Sequence, residues 1–148
     1  MVASTETASS RTFPTIAVAD DEPELRDFYA MMLPRLGYNV AGLAENGVRL
    51  VQLCLEANPD VVLTDLDMPE MDGLAAVAEI WATRPLPIVV VSGKSLDFSQ
   101  APECLVRVSV CLTKPVRVEQ LQQAIPLACQ QFSDQHVLPP ANSRIPDR

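Results

Sequence analysis

A short apolar run ends in an acid. Val61-Val62-Leu63-Thr64 leads straight into Asp65, and Leu66-Asp67-Met68-Pro69 follows. A continuous apolar run of strand length, bounded by turn residues, reads as a strand buried on both faces, as a parallel sheet requires. Asp65 then stands at the carboxyl end of that strand. Ligands bind along this edge in open α/β sheets. An acid there is a nucleophile, a metal ligand or a cap for the following loop, and the rest of the chain decides between these.

The same punctuation recurs. A first strand over residues 15–19 runs into Asp20-Asp21-Glu22-Pro23. Pro23 suits the first turn of a helix, and the acids suit its positive end. Leu25, Phe28, Tyr29, Met32, Leu33 and Leu36 recur at helical spacing, with Pro34 loosening the last turn and Gly37 as the stop. Residues 39–43 form a weaker second strand. Asn46-Gly47 opens a second helix with Val48, Val51, Cys54 and Leu55 inward, and Asn58-Pro59 ends it. The loop from Asp67 to Gly73 leads to a third helix with Leu74, Val77, Ala78 and Trp81 on one face.

Residues 88–91 are the fourth and most apolar strand, ending at Ser92-Gly93. A fourth helix is predicted between Lys94 and Val108, kept short by Pro102. A fifth strand over 109–112 precedes Thr113-Lys114-Pro115. A last helix begins near Val116 or Arg117, with Val118, Leu121, Ile125 and Cys129 as its stripe and Pro126 expected to interrupt it. Five strands alternating with five helices imply an α/β protein with a doubly wound parallel sheet. Right-handed crossovers make the order 2-1-3-4-5 the simplest topology.

At 148 residues the chain is long enough for one domain with a full core. The predicted domain spans residues 14–132, with residues 1–13 a disordered N-terminal segment and 133–148 a flexible tail. The net charge of −8 argues against direct nucleic-acid binding and against docking on an anionic membrane. No run approaches the ~20 apolar residues of a membrane span, and the Ser/Thr-rich start lacks the apolar core of a signal peptide. The expected location is cytoplasmic. Cys54, Cys104, Cys111 and Cys129 form no C-x-x-C pair, and His136 is the one histidine, so a zinc site is not expected.

Collected at the strand ends are Asp20 and Asp21 from the first strand, Asp65 from the third, Ser92 from the fourth and Lys114 from the fifth. In the order 2-1-3-4-5 these strands are neighbours, so the side chains converge. Three close carboxylates repel, and they stay ionised together when a cation joins them. Hard oxygen ligands favour Mg²⁺. Mg²⁺ beside a phosphate suits phosphoryl transfer, where positioning and charge neutralisation carry the reaction. Lys114 supplies a point charge, Ser92 a hydrogen-bond donor, and Asp65 a carboxylate nucleophile.

The set Asp20-Asp21, Asp65, Ser92 and Lys114-Pro115 resembles the receiver domain of two-component response regulators. Asp65-Leu66-Asp67-Met68-Pro69-Glu70-Met71-Asp72-Gly73 is similar to the family's phosphorylation loop, and the resemblance covers about residues 14–132. It implies a flavodoxin-like (βα)5 fold in a stand-alone receiver. By this likeness Asp65 accepts a phosphoryl group from a phosphohistidine on a sensor histidine kinase or histidine phosphotransfer protein. Asp21, Asp65 and the backbone carbonyl of Asp67 bind Mg²⁺ directly, and Asp20 holds it through water. Ser92 and Lys114 contact the phosphoryl group, and Ser92 moves on phosphorylation. No further enzymatic activity is implied, and the output is through an unidentified protein partner.

The chain departs from the family where a switch aromatic usually stands three positions before the lysine, for here that residue is Cys111. Two other readings compete. The Asp65-Leu66-Asp67 spacing resembles the nucleophile motif of haloacid-dehalogenase-like phosphatases, but their acidic pair follows the lysine, whereas Asp20-Asp21 precedes Lys114. The third reading is a binding module that keeps the receiver fold without being phosphorylated.

Overall fold

A computed structural model of the chain describes residues 13–93 and 107–136. Five parallel strands form one sheet: β1 (Thr15–Ala19), β2 (Asn39–Ala44), β3 (Val61–Asp65), β4 (Ile88–Ser92) and β5 (Val110–Thr113). Their order is β2-β1-β3-β4-β5, which is the predicted doubly wound order. The described helices are α1 (Pro23–Arg35), α2 (Gly47–Ala57), α3 (Gly73–Thr83) and α4 (Val118–His136). The helix expected between Lys94 and Val108 falls mostly outside the described residues, as do Cys104 and most of the end segments predicted at 1–13 and 133–148.

Side chains alternate along each strand, so the sheet feeds two separate cores. Ile16, Val18, Val61, Leu63, Val89 and Val91 pack with Tyr29 and Leu33 of α1 and with Leu121, Ala124, Ile125 and Ala128 of α4. Ala17, Ala19, Val62, Ile88 and Val90 pack on the other face with Leu50 and Cys54 of α2 and with Ala76, Val77 and Ile80 of α3. Strands apolar on both faces are the reason for the continuous runs in the sequence.

The helix ends follow local chemistry. The Asn46 side chain accepts from the Arg49 N–H at 2.8 Å and starts α2, and Asn58 closes it in the left-handed conformation at φ 56°. The Asp72 side chain accepts from the Ala75 N–H at 2.8 Å and starts α3. Gly37, at φ 98°, ends the turn after α1.

Three expectations need correction. The inward stripe of α2 is Gly47, Leu50 and Cys54, while Val48 and Leu55 face outward at 39% and 62% exposure. Apolar residues all round that helix left its phase ambiguous. Pro126 does not interrupt the last helix, which continues through it. Pro126 is exposed, so water can take the carbonyl its missing N–H leaves unpaired. The same helix runs to His136, past the expected edge of the domain at 132.

Candidate phosphoryl-accepting site

The site lies at the carboxyl edge of the sheet, where β1, β3, β4 and β5 end side by side. In-register pairing sets Ala19 beside Thr64, Asp65 beside Val91, and Ser92 beside Thr113. The Asp20 N–H donates to the Ala44 carbonyl at 3.0 Å, and the Lys114 N–H to the Ser92 carbonyl at 2.8 Å. The ladder therefore carries on one residue beyond β1 and β5 and fixes the backbones that bear the acid and the lysine.

Asp20, Asp65 and Ser92 are buried, at 0%, 4% and 2% exposure, and Asp21 is exposed. One carboxylate oxygen from each of Asp20, Asp21 and Asp65 lies within 4.8 Å of the others. The Lys114 ammonium reaches into this group. It donates to Asp65 Oδ2 at 3.1 Å and to Glu22 Oε2 at 3.3 Å, and lies 3.4 Å from Asp20 Oδ2. The last contact is a charge contact out of hydrogen-bond alignment, for Asp20 Oδ2 accepts no hydrogen bond. The other Asp20 oxygen accepts from the Glu22 N–H at 2.9 Å. Asp67 is exposed on the loop, and its backbone N–H acts on the Asp65 carboxylate. The Lys114–Pro115 peptide is cis.

Burial pushes the Asp20 carboxyl above the ordinary carboxylate range, and the Asp65 charge adds to this while the Glu22 N–H and Lys114 oppose it. Burial also raises Asp65, against the pull of Lys114 and the backbone N–H groups of Leu66 and Asp67. For Lys114, burial pulls the other way. The hydrogen bond to Asp65, the Asp20 and Asp65 charges and the bond to Glu22 outweigh it, so the ammonium form is held above its usual range. The pocket carries more negative charge than one lysine offsets. A buried carboxylate oxygen without a hydrogen bond, flanked by two further carboxylates, fits a hard divalent cation.

The loop after Asp65 is clamped at two close approaches. The Gly73 N–H donates to the Leu66 carbonyl at 2.8 Å, and the Gly47 N–H donates to the Met71 carbonyl at 2.9 Å. A β-carbon at either glycine would run into backbone oxygen, Asp65 at one and Met71 at the other. Between them Glu70 sits at φ 70°, and the Met71 N–H reaches the Pro69 carbonyl at 2.7 Å. By sequence Glu22 is a helix-end acid. Its contact with Lys114 spans 92 residues, and no local spacing announces it.

A doubly wound five-stranded domain with three acids and a lysine at its carboxyl edge has the charge arrangement that phosphoryl transfer to a carboxylate needs. The chain belongs to the response regulator receiver domain family, whose match spans residues 16–126. It is 34% identical over 119 residues to the transcriptional regulatory protein PdtaR of Mycobacterium tuberculosis, covering 80% of this chain and 58% of that protein. It is 39% identical over 84 residues to a protein-glutamate methylesterase/protein-glutamine glutaminase of Halobacterium salinarum, covering 57% of this chain and 24% of that protein. The chain thus spans about a quarter to just over half of these relatives. Among solved structures, a response regulator receiver domain protein from Clostridium thermocellum superposes with a TM-score of 0.73 at 25% identity, covering 85% of this chain and all of that one. The chain is a phosphoacceptor receiver domain of the two-component kind, and the phosphatase alternative is not favoured. No described helix is long and apolar enough to cross a membrane.

Proposed function

We propose that Asp65 is the phosphoacceptor and that the domain, from residue 14 through the end of α4, works as one cytoplasmic receiver unit. The observation that carries this is the burial of Asp65 at the end of the central strand, with Asp20 and Asp21 carboxylates within 4.8 Å and the Lys114 ammonium at 3.1 Å. An Asp65 oxygen attacks the phosphorus of a phosphohistidine. The O–P bond forms, the N–P bond breaks, and the leaving imidazole nitrogen keeps the electron pair and takes a proton from solvent. Lys114 neutralises a phosphoryl oxygen, and Ser92 donates a hydrogen bond to another.

Asp21, Asp65 and the Asp67 carbonyl would hold Mg²⁺ directly, with Asp20 acting through water. The metal supplies charge neutralisation of the phosphoryl oxygens. The donor is a sensor histidine kinase or a histidine phosphotransfer protein, and the output is a protein contact that changes on phosphorylation. Cys111 stands half-buried on β5 against the α2–α3 core. No large ring is available there to swing, so the readout relies on Ser92 and its surroundings.

The test is intact-mass measurement after incubation with Mg²⁺ and acetyl phosphate. Wild type should carry one phosphoryl adduct, and D65A should carry none. No adduct on wild type with metal present would sink the reading.

A further inference from the structure

Lys114 is held by three carboxylates, and they differ in kind. Asp20 and Asp65 are buried, with side chains 1% and 4% exposed, whereas the Glu22 side chain is 56% exposed at the rim. Glu22 is the N-cap residue of α1, yet its side chain makes no capping bond. Its backbone N–H is used on Asp20 Oδ1. Its carboxylate instead spans to the end of β5 and accepts from the Lys114 ammonium at 3.3 Å.

A divalent cation held among Asp20, Asp21 and Asp65 would share carboxylates that Lys114 now contacts, Asp65 at 3.1 Å and Asp20 at 3.4 Å. Two cations on the same carboxylates repel, which drives the ammonium outward. A partly buried ammonium without an acceptor is costly. Glu22 already lies within hydrogen-bond reach on the solvent side of the pocket. We infer that Glu22 is a positioning residue: it keeps the Lys114 ammonium at the rim while the acids take up Mg²⁺, and so leaves the lysine where a phosphoryl oxygen on Asp65 meets it. This deepens the phosphoacceptor reading and rests on it.

The test is Mg²⁺ affinity, read from amide NMR shifts of the full chain at fixed ionic strength. E22A should weaken Mg²⁺ binding about three- to fivefold, the scale of one exposed ion pair. E22D keeps the charge but is one methylene too short, and it should weaken binding similarly. E22Q keeps the reach and an oxygen acceptor, and it should recover part of the loss. Wild-type affinity in E22A would overturn the inference. So would wild-type affinity in E22D, since Glu22 would then act through charge alone. Absence of Mg²⁺-dependent shifts in wild type would overturn it as well. Normal Mg²⁺ binding with no phosphoryl adduct would instead bring down the phosphoacceptor reading and leave the hold on the lysine standing.

Discussion

The Asp65 carbonyl oxygen fills the space that a β-carbon on Gly73 would need. Strand β3 and helix α3 are therefore joined at Asp65 without room for adjustment, because the obstacle is backbone. G73A should lose about 2–3 kcal/mol of stability, the scale of an overpacked site. Urea unfolding checks this, and a loss below about 0.5 kcal/mol would mean the loop yields.

Asp20 and Asp65 set how stability depends on pH and metal. Both carboxyls are raised in the folded protein, chiefly by burial. A raised carboxyl favours folding while protonated, so its stability is present at low pH and is lost as pH rises through the folded value. In chelator at pH 7, D20N should therefore be more stable than wild type by about 1 kcal/mol. The gap should close as pH falls below the ordinary value of 3.8. Excess Mg²⁺ should reverse the order, because wild type gains about 2.7 kcal/mol at a hundredfold excess over Kd and D20N gains less. Thermal melts with and without metal decide it.

Cys54 lies under α2 at 8% exposure, and burial pushes its thiol up from 9.0 to about 11. The unfolded thiol ionises first as pH rises. Stability from this group is present below pH 9 and is lost between about 9 and 11. The slope is about 1.4 kcal/mol per pH unit for one such group. C54A should be less stable than wild type at pH 7, and the difference should shrink above pH 9 in urea titrations.

Glu70 holds a left-handed backbone, at φ 70°, between the two glycine clamps. A β-branched side chain tolerates that region poorly. E70V should cost about 1–2 kcal/mol, while E70G should be nearly neutral. Paired denaturation curves compare the two, and equal costs would show that the side chain and not the backbone matters there.

Much of the molecule was legible because its signals are local. The runs at β1, β3 and β4 are apolar on both faces, and each stops at a polar residue that reaches the same edge. Asp20, Asp65 and Ser92 could be found in this way, and Lys114 followed from the strand order. What sequence did not yield depends on surroundings. The phase of α2 was ambiguous because Val48, Leu50, Val51, Leu53 and Leu55 crowd one short helix. Pro126 reads as a break unless its exposure is known. The Glu22–Lys114 contact arises from tertiary closure across the whole chain.

The chain's one tryptophan lies away from the acids. Trp81 donates its indole N–H to the Leu86 carbonyl at 3.0 Å, just before β4 begins, and its ring meets Phe132 of α4 edge-on at 6.0 Å. Its emission is therefore a built-in gauge of whether the final helix is seated against the opposite end of the sheet. Ultraviolet light thus reads the end of the molecule opposite the carboxylates.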